Sequence, residues 1–195
     1  MNLHHDPNTT PQDIIHQAIE VFCQKGYAQT SMKDVTDGLS LSRGPVYYYF
    51  KDKYGLYKAS YDVFEETLKA IHERFFPAPI PTMEKIKKLL MGIIQDTRKF
   101  NRHFFLGLRD IAELSDIAKR YDTLNEAFLR RLHGVILEGQ SKGELTLSLS
   151  KEEITTHIYV VFYGLISAIN AKLLAFQSDE SFEKMLHRHL TPLLP

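Results

Sequence analysis

Residues 31–50 read SMKDVTDGLSLSRGPVYYYF, a pattern that fits two short helices joined by a tight turn. Ser31 with Asp34 three residues later has the form of a capping box, so a helix starts there. Met32, Val35 and Leu39 recur at i, i+3 and i+7 and share one buried face. Ser40, Leu41 and Ser42 make the turn, with Leu41 as the plug between the helices. Ser42 caps the second helix, and Pro45 is tolerated in its first turn, where no intrahelical donor is lost. In that second helix Val46, Tyr49 and Phe50 lie at i, i+3 and i+4 and turn inward. Arg43, Gly44, Tyr47 and Tyr48 fall on the other side.

An outer face holding an arginine, a glycine and two tyrosines suits a DNA major groove. The guanidinium serves guanine edges or phosphate, and the phenol hydroxyls serve phosphate oxygens. An ordinary helical hairpin with aromatic core packing satisfies the same residue types. Working outward, Thr10, Pro11 and Asp13 supply an N-cap, a first-turn proline and a capping acid. Ile14, Ala18 and Phe22 follow at four-residue steps, and Gly26 closes that helix. Asp52 caps a fourth helix running to about Phe76, with Val63, Phe64, Leu68 and Ile71 as its apolar stripe. Its opening residues Lys53, Tyr54 and Gly55 place a helix N-terminus and a lysine where both favour phosphate.

Residues 13–56 resemble the DNA-binding domain of the TetR family of bacterial transcriptional regulators. The resemblance rests on IIHQAIEVFCQKGY, then TSMKDV, then LSRGPVYYYFKDKYGL, with Lys53 and Leu56 at the family spacing. Two positions depart from the pattern: Thr36 stands where alanine usually faces the partner helix, and Ser40 where the turn is usually glycine. The resemblance implies an all-α fold, with a three-helix helix-turn-helix domain at residues 8–56 and a connecting helix at 52–76. It further implies a C-terminal effector-binding and dimerisation domain at 77–195. The implied DNA contacts are Thr30, Ser31, Lys33, Ser42, Arg43, Gly44, Pro45, Tyr47, Tyr48, Tyr49 and Lys53.

Composition neither adds to this nor removes it. The chain has 195 residues and a formal net charge of zero, whereas many nucleic-acid binders are basic. The six lysines and arginines of the first sixty residues are matched by as many acids. A positive surface must therefore come from arrangement, with Lys33, Arg43, Lys51 and Lys53 near the second helix of the pair. One cysteine, Cys23, excludes an intramolecular disulfide and fits a buried filler. The polar start MNLHHDPNTT has no apolar signal core, which predicts a cytoplasmic protein.

PAPIP at 77–81 breaks the helical pattern. Beyond it helices are predicted from Met83 through Phe100, from about His103 to Leu114, from Ile117 to Ser141 with Gly143 as the stop, from Ser150 to Phe176, and from Asp179 to Thr191. GELTLSLS forms an extended loop, and Ser150 with Glu153 is another capping box. Residues 154–171 carry no formal charge, but Thr155, Thr156, His157, Ser167 and Asn170 interrupt them, which favours a soluble helix over a membrane span. Ile158, Val161, Phe162, Leu165, Ile169 and Leu173 wrap more than one face, so this helix needs a partner on two sides. The resemblance implies the same: the last two helices pair with their copies as a four-helix bundle. The dimer face is placed at Phe162, Leu165, Ile169, Leu173, Met185 and Leu186.

A small-molecule effector pocket is expected between the helices of residues 83–176. Its candidate lining is Phe100, His103, Phe104, Phe105, Leu108, Tyr121, Phe128, His157, Phe162, Tyr163 and Asn170. Aromatic rings with polar tips and few charges suit an apolar, aromatic ligand. Glycine-rich phosphate loops, GxSxG, CxxC and HExxH are absent from the sequence, so no enzyme, cofactor or metal is assigned. An alternative is a helical enzyme or metal-binding protein using His103, His133 and His157. Another is a DNA-binding dimer controlled by a protein partner in place of a ligand. Arg109 and Glu113, at i and i+4, are expected to pair on the surface.

Overall fold

The computed structural model describes residues 10–39, 43–97, 99–101, 103–170 and 179–195. They form eight α-helices: α1 Pro11–Gln29, α2 Met32–Gly38, α3 Arg43–Phe50, α4 Lys53–Phe75, α5 Thr82–Thr97, α6 Ser115–Ser141, α7 Lys151–Asn170 and α8 Asp179–Leu190. No strand occurs among the described residues. The expected caps of α1, α2 and α7 are in place. Thr10 and Ser31 each receive the backbone N–H of the residue three positions on and donate to that residue's carboxylate. Ser150 and Glu153 do the same at the start of α7. Each such cap is worth about 0.5–2 kcal/mol over alanine. Gly26 breaks α1 internally with φ +74°, and a Cβ there would lie 3.5 Å from His103 O.

The chain divides into two compact units. The first contains the described residues up to Thr67 together with Thr97–Thr123. In it α1 packs against α2 and α3, and α2 against α3. Ile14, Ala18, Phe22, Val35 and Val46 are fully buried. A run of rings continues this core: Phe22 meets Tyr57 edge-on at 5.0 Å, and Tyr57 stacks on Phe104 at 4.8 Å. Aromatic pairs of this kind add about 0.5–1.5 kcal/mol each beyond burial. The second unit contains Leu68–Asp96 and the described residues from Leu124 on. There Ile86, Leu89 and Leu90 of α5 are buried, as are Leu132 and Ile136 of α6 and Ile154 and Ile158 of α7.

The predicted helix from His103 to Leu114 is replaced by consecutive turns through Asp110 and a short 3-10 helix, Ala112–Leu114. The segment's backbone N–H groups close successive turns, such as Leu106 N to His103 O and Leu108 N to Phe105 O, and further hydrogen bonds pin it. Asn101 Nδ2 donates to Cys23 O, Asn101 Oδ1 accepts from His103 N, and the Tyr57 hydroxyl takes Phe104 O at 2.6 Å. Gly107 adopts φ +77°, which no helix interior accommodates. Arg109 consequently pairs with Asp122 and not with Glu113. The predicted α7 extension beyond Asn170, the turn residues Ser40 and Leu41, and the side chain of Ile169 lie outside the described residues.

Candidate nucleic-acid interface

The outward face of α3 is built by its own helical phase. Val46 is completely buried, whereas Tyr47, Tyr48 and Tyr49 are 46%, 80% and 47% exposed. Tyr49 therefore corrects the inward placement expected from spacing. Its ring lies edge-on to Tyr48 at 5.1 Å and tilted toward Phe50, which is half-buried and takes the inward position. Gly44 is exposed and Pro45 half-buried in the first turn. Ser42 and the side chain of Arg43 lie outside the described residues.

Two residues separate α3 from α4. Lys51 takes the left-handed conformation, φ 60°, and its N–H closes α3 on Tyr47 O at 3.0 Å. A lysine pays about 1–2 kcal/mol for this backbone relative to glycine, and in return the turn carries an exposed ammonium. Asp52 then caps α4, its Oδ1 accepting from Gly55 N at 2.7 Å. Gly55 is required there, because a Cβ would come within 2.3 Å of Phe50 O. Lys53 opens α4. Its ammonium donates to Tyr27 O at 3.0 Å and lies 4.3 Å over the Tyr27 ring.

On the α1–α2 side the candidates separate. Thr30 is buried: its hydroxyl donates to Gly26 O and its N–H to Tyr27 O. It holds the end of α1 and has no free donor for DNA, which corrects its assignment as a contact. Ser31 is exposed and engaged as the cap of α2. Lys33 forms an exposed pair with Asp37 at 2.9 Å, worth little in water. Lys25 and the Ser31 N–H hold the Asp34 carboxyl down at about 2. Thr36, at the expected alanine position, is buried with its hydroxyl satisfied by Lys33 O.

Sequence reasoning missed the ties behind this surface. The Tyr27 hydroxyl donates to Glu113 at 2.5 Å and the Tyr54 hydroxyl to Asp116 at 2.6 Å. The Asp116 carboxylate pushes Tyr54 ionisation up to about 12, so Tyr54 stays a donor. These partners are 86 and 62 positions apart, beyond any periodic signal. The Cys23 thiol is buried and donates to Lys99 O, and burial raises its pKa.

The expected effector residues fall into two groups. Phe100, His103, Phe104, Phe105, Leu108 and Tyr121 belong to the first unit, and Phe128, His157, Phe162 and Tyr163 to the second. The His157 ring is hydrogen-bonded to His189 O on α8. No cluster of three or more metal-ligating side chains occurs among the described residues. The expected dimer face is corrected at three positions: Phe162, Leu165 and Leu186 are buried in their own chain, and Met185 is half-buried. They fill the core because α7 and α8 turn their most apolar stripes toward each other and the rest of the unit. Leu173 and the side chains of Ile169 and Asn170 lie outside the described residues.

A sequence profile described as bacterial regulatory proteins, tetR family, matches residues 14–60, the span of α1–α3 and the start of α4. The chain is 26% identical to the HTH-type transcriptional regulator AcrR of Shigella flexneri over 90 residues, 45% of this chain and 41% of AcrR. Similarity to the HTH-type transcriptional regulator UidR of Escherichia coli K12 extends over 185 residues at 22% identity, 91% of this chain and 90% of UidR. The fold is shared with MexZ of Pseudomonas aeruginosa, described as a key repressor responsible for antibiotic resistance. That likeness has a TM-score of 0.73 at 21% identity over 94% of each chain. The helix-turn-helix segment thus matches the tetR family of bacterial regulatory proteins over residues 14–60, and the chain is similar along most of its length to regulators of that kind.

Proposed function

We propose that the chain is a ligand-responsive repressor that binds a palindromic operator as a homodimer in the cytoplasm. The carrying observation is the outer face of α3. Three consecutive tyrosines are exposed at its tip, with Lys51 and Lys53 immediately after them. Exposed phenols flanked by ammonium groups match a phosphate backbone, and Arg43 and Gly44 precede them on the face that approaches base edges. Residues 8–56 and the start of α4 form the DNA-binding part, and residues 77–195 carry effector binding and dimerisation. Repression is the role described for the similar MexZ. Two recognition helices must lie about 34–36 Å apart, or a multiple, to read two half-sites.

The dimer reading now rests on other residues of α7. Thr156, Val160, Tyr163, Gly164 and Ser167 are exposed at steps of three and four, an uncharged stripe whose Val160 is 68% exposed. Selection of bound duplexes from a random pool, followed by affinity measurement across salt concentrations, tests the function. A repressor of this kind returns a two-fold symmetric sequence and a steep salt dependence. Enrichment of no sequence over the starting pool would refute it.

A further inference from the structure

Tyr61 of α4 is completely buried, and its hydroxyl has no hydrogen-bond partner among the described residues. A buried donor left unmade is costly and rare in a folded protein. The neighbouring Tyr57, one turn earlier and equally buried, is satisfied by Phe104 O at 2.6 Å. Beside Tyr61 lies a ring cluster. Phe64 meets Phe100 edge-on at 5.2 Å and Phe105 at 4.9 Å, and stacks toward Tyr121 at 6.4 Å. Phe105 and Tyr121 are half-buried, so the cluster reaches the surface of its unit on that side. On the other flank the Arg120 guanidinium lies 4.9 Å over the Tyr61 ring. Arg120 is already paired with Asp62 at 2.6 Å and with the buried Glu65.

We infer that the Tyr61 hydroxyl is the polar anchor for an uncharged, flat aromatic ligand bearing a carbonyl or ether oxygen, held among Phe64, Phe105 and Tyr121. The inference rests on the effector reading above and specifies its ligand chemistry. Burial keeps Tyr61 protonated, so its O–H retains a proton to donate, and an acceptor on the ligand is the group that satisfies it. Asp62, Glu65 and Arg120 sum to one negative charge beside Tyr61, which disfavours an anionic ligand there. Edge-to-face rings at the half-buried rim of the cluster favour a planar aromatic partner.

The test uses the full chain, with coumarin as the acceptor-bearing probe, naphthalene as the two-ring probe without an acceptor, and 2-naphthoate as the anion. Binding is read by titration calorimetry and thermal shift on wild type and Tyr61→Phe. Coumarin should bind wild type more tightly than either other probe and lose about 3- to 10-fold in Tyr61→Phe, with naphthalene unchanged. Without ligand, Tyr61→Phe should match or exceed the wild-type Tm, whereas the control Tyr57→Phe should fall below it. A lower Tm for Tyr61→Phe would show that the hydroxyl is already satisfied and overturn the proposal. Failure of all probes on wild type, or tighter binding of 2-naphthoate, overturns the ligand class. A compound that releases operator equally well from wild type and Tyr61→Phe sinks this site while leaving the effector reading intact. Coumarin binding that depends on Tyr61 but leaves operator affinity unchanged supports the site and refutes its role as effector.

Discussion

Lys53 Nζ lies 3.0 Å from Tyr27 O and 4.3 Å over the Tyr27 ring, so the first residue of α4 is tied to the end of α1. An ammonium has three donors, and one carbonyl engages only one of them. Lys53 can therefore hold α1 and a phosphate together. Lys53→Ala should weaken binding to every DNA sequence and reduce the salt slope by about one. A salt slope equal to wild type would assign Lys53 to the α1 contact alone.

Tyr48, 80% exposed, should affect DNA and not folding. Tyr48→Phe should leave Tm within experimental error and lower operator affinity by about 0.5–1.5 kcal/mol, the net worth of one hydrogen bond. Arg43→Ala should cost about 1–3 kcal/mol at one base position if it reads guanine. Binding to single-base operator variants resolves the two, because Arg43→Ala relaxes preference at one position and Tyr48→Phe at none.

On α7, Val160 and Leu165 should behave oppositely when made charged. Val160→Glu alters an exposed position and should give a folded monomer in analytical ultracentrifugation. Leu165→Asp buries an unpaired carboxylate at a site 7% exposed and should unfold the subunit. A Val160→Glu protein that remains dimeric at micromolar concentration places the dimer face elsewhere.

His72 predicts an acid-sensitive range. It is buried, stacked on Phe128 at 5.1 Å, with Arg131 and Glu73 nearby, and burial lowers its pKa from 6.5 to about 4. A depressed folded-state pKa means the unfolded chain takes up the proton first. The stability is thus fully present above pH 6.5 and is lost as pH falls toward 4, at most about 1.4 kcal/mol per pH unit. His72→Phe should flatten the pH dependence of Tm between 4 and 6.5, and an unchanged slope would show that His72 titrates normally.

The sequence by itself determined the helical class, the caps at Thr10, Ser31, Asp52 and Ser150, and the outward placement of Tyr47 and Tyr48 on α3. These are local signals, carried by side chains three or four positions apart that bond or pack within one turn of helix. Only tertiary structure decided the rest. Thr30 turned inward because Gly26 presents its carbonyl, and residues 103–114 stayed non-helical where the Tyr57 hydroxyl claims Phe104 O and Gly107 takes a positive φ. Phe162 and Leu165 went to the core rather than a partner because an apolar side chain gains equally from either, and periodicity cannot say which surface arrives first. Glu113 and Asp116 found Tyr27 and Tyr54 across separations where sequence carries no pairing information, and only the folded chain brings such groups within hydrogen-bond reach.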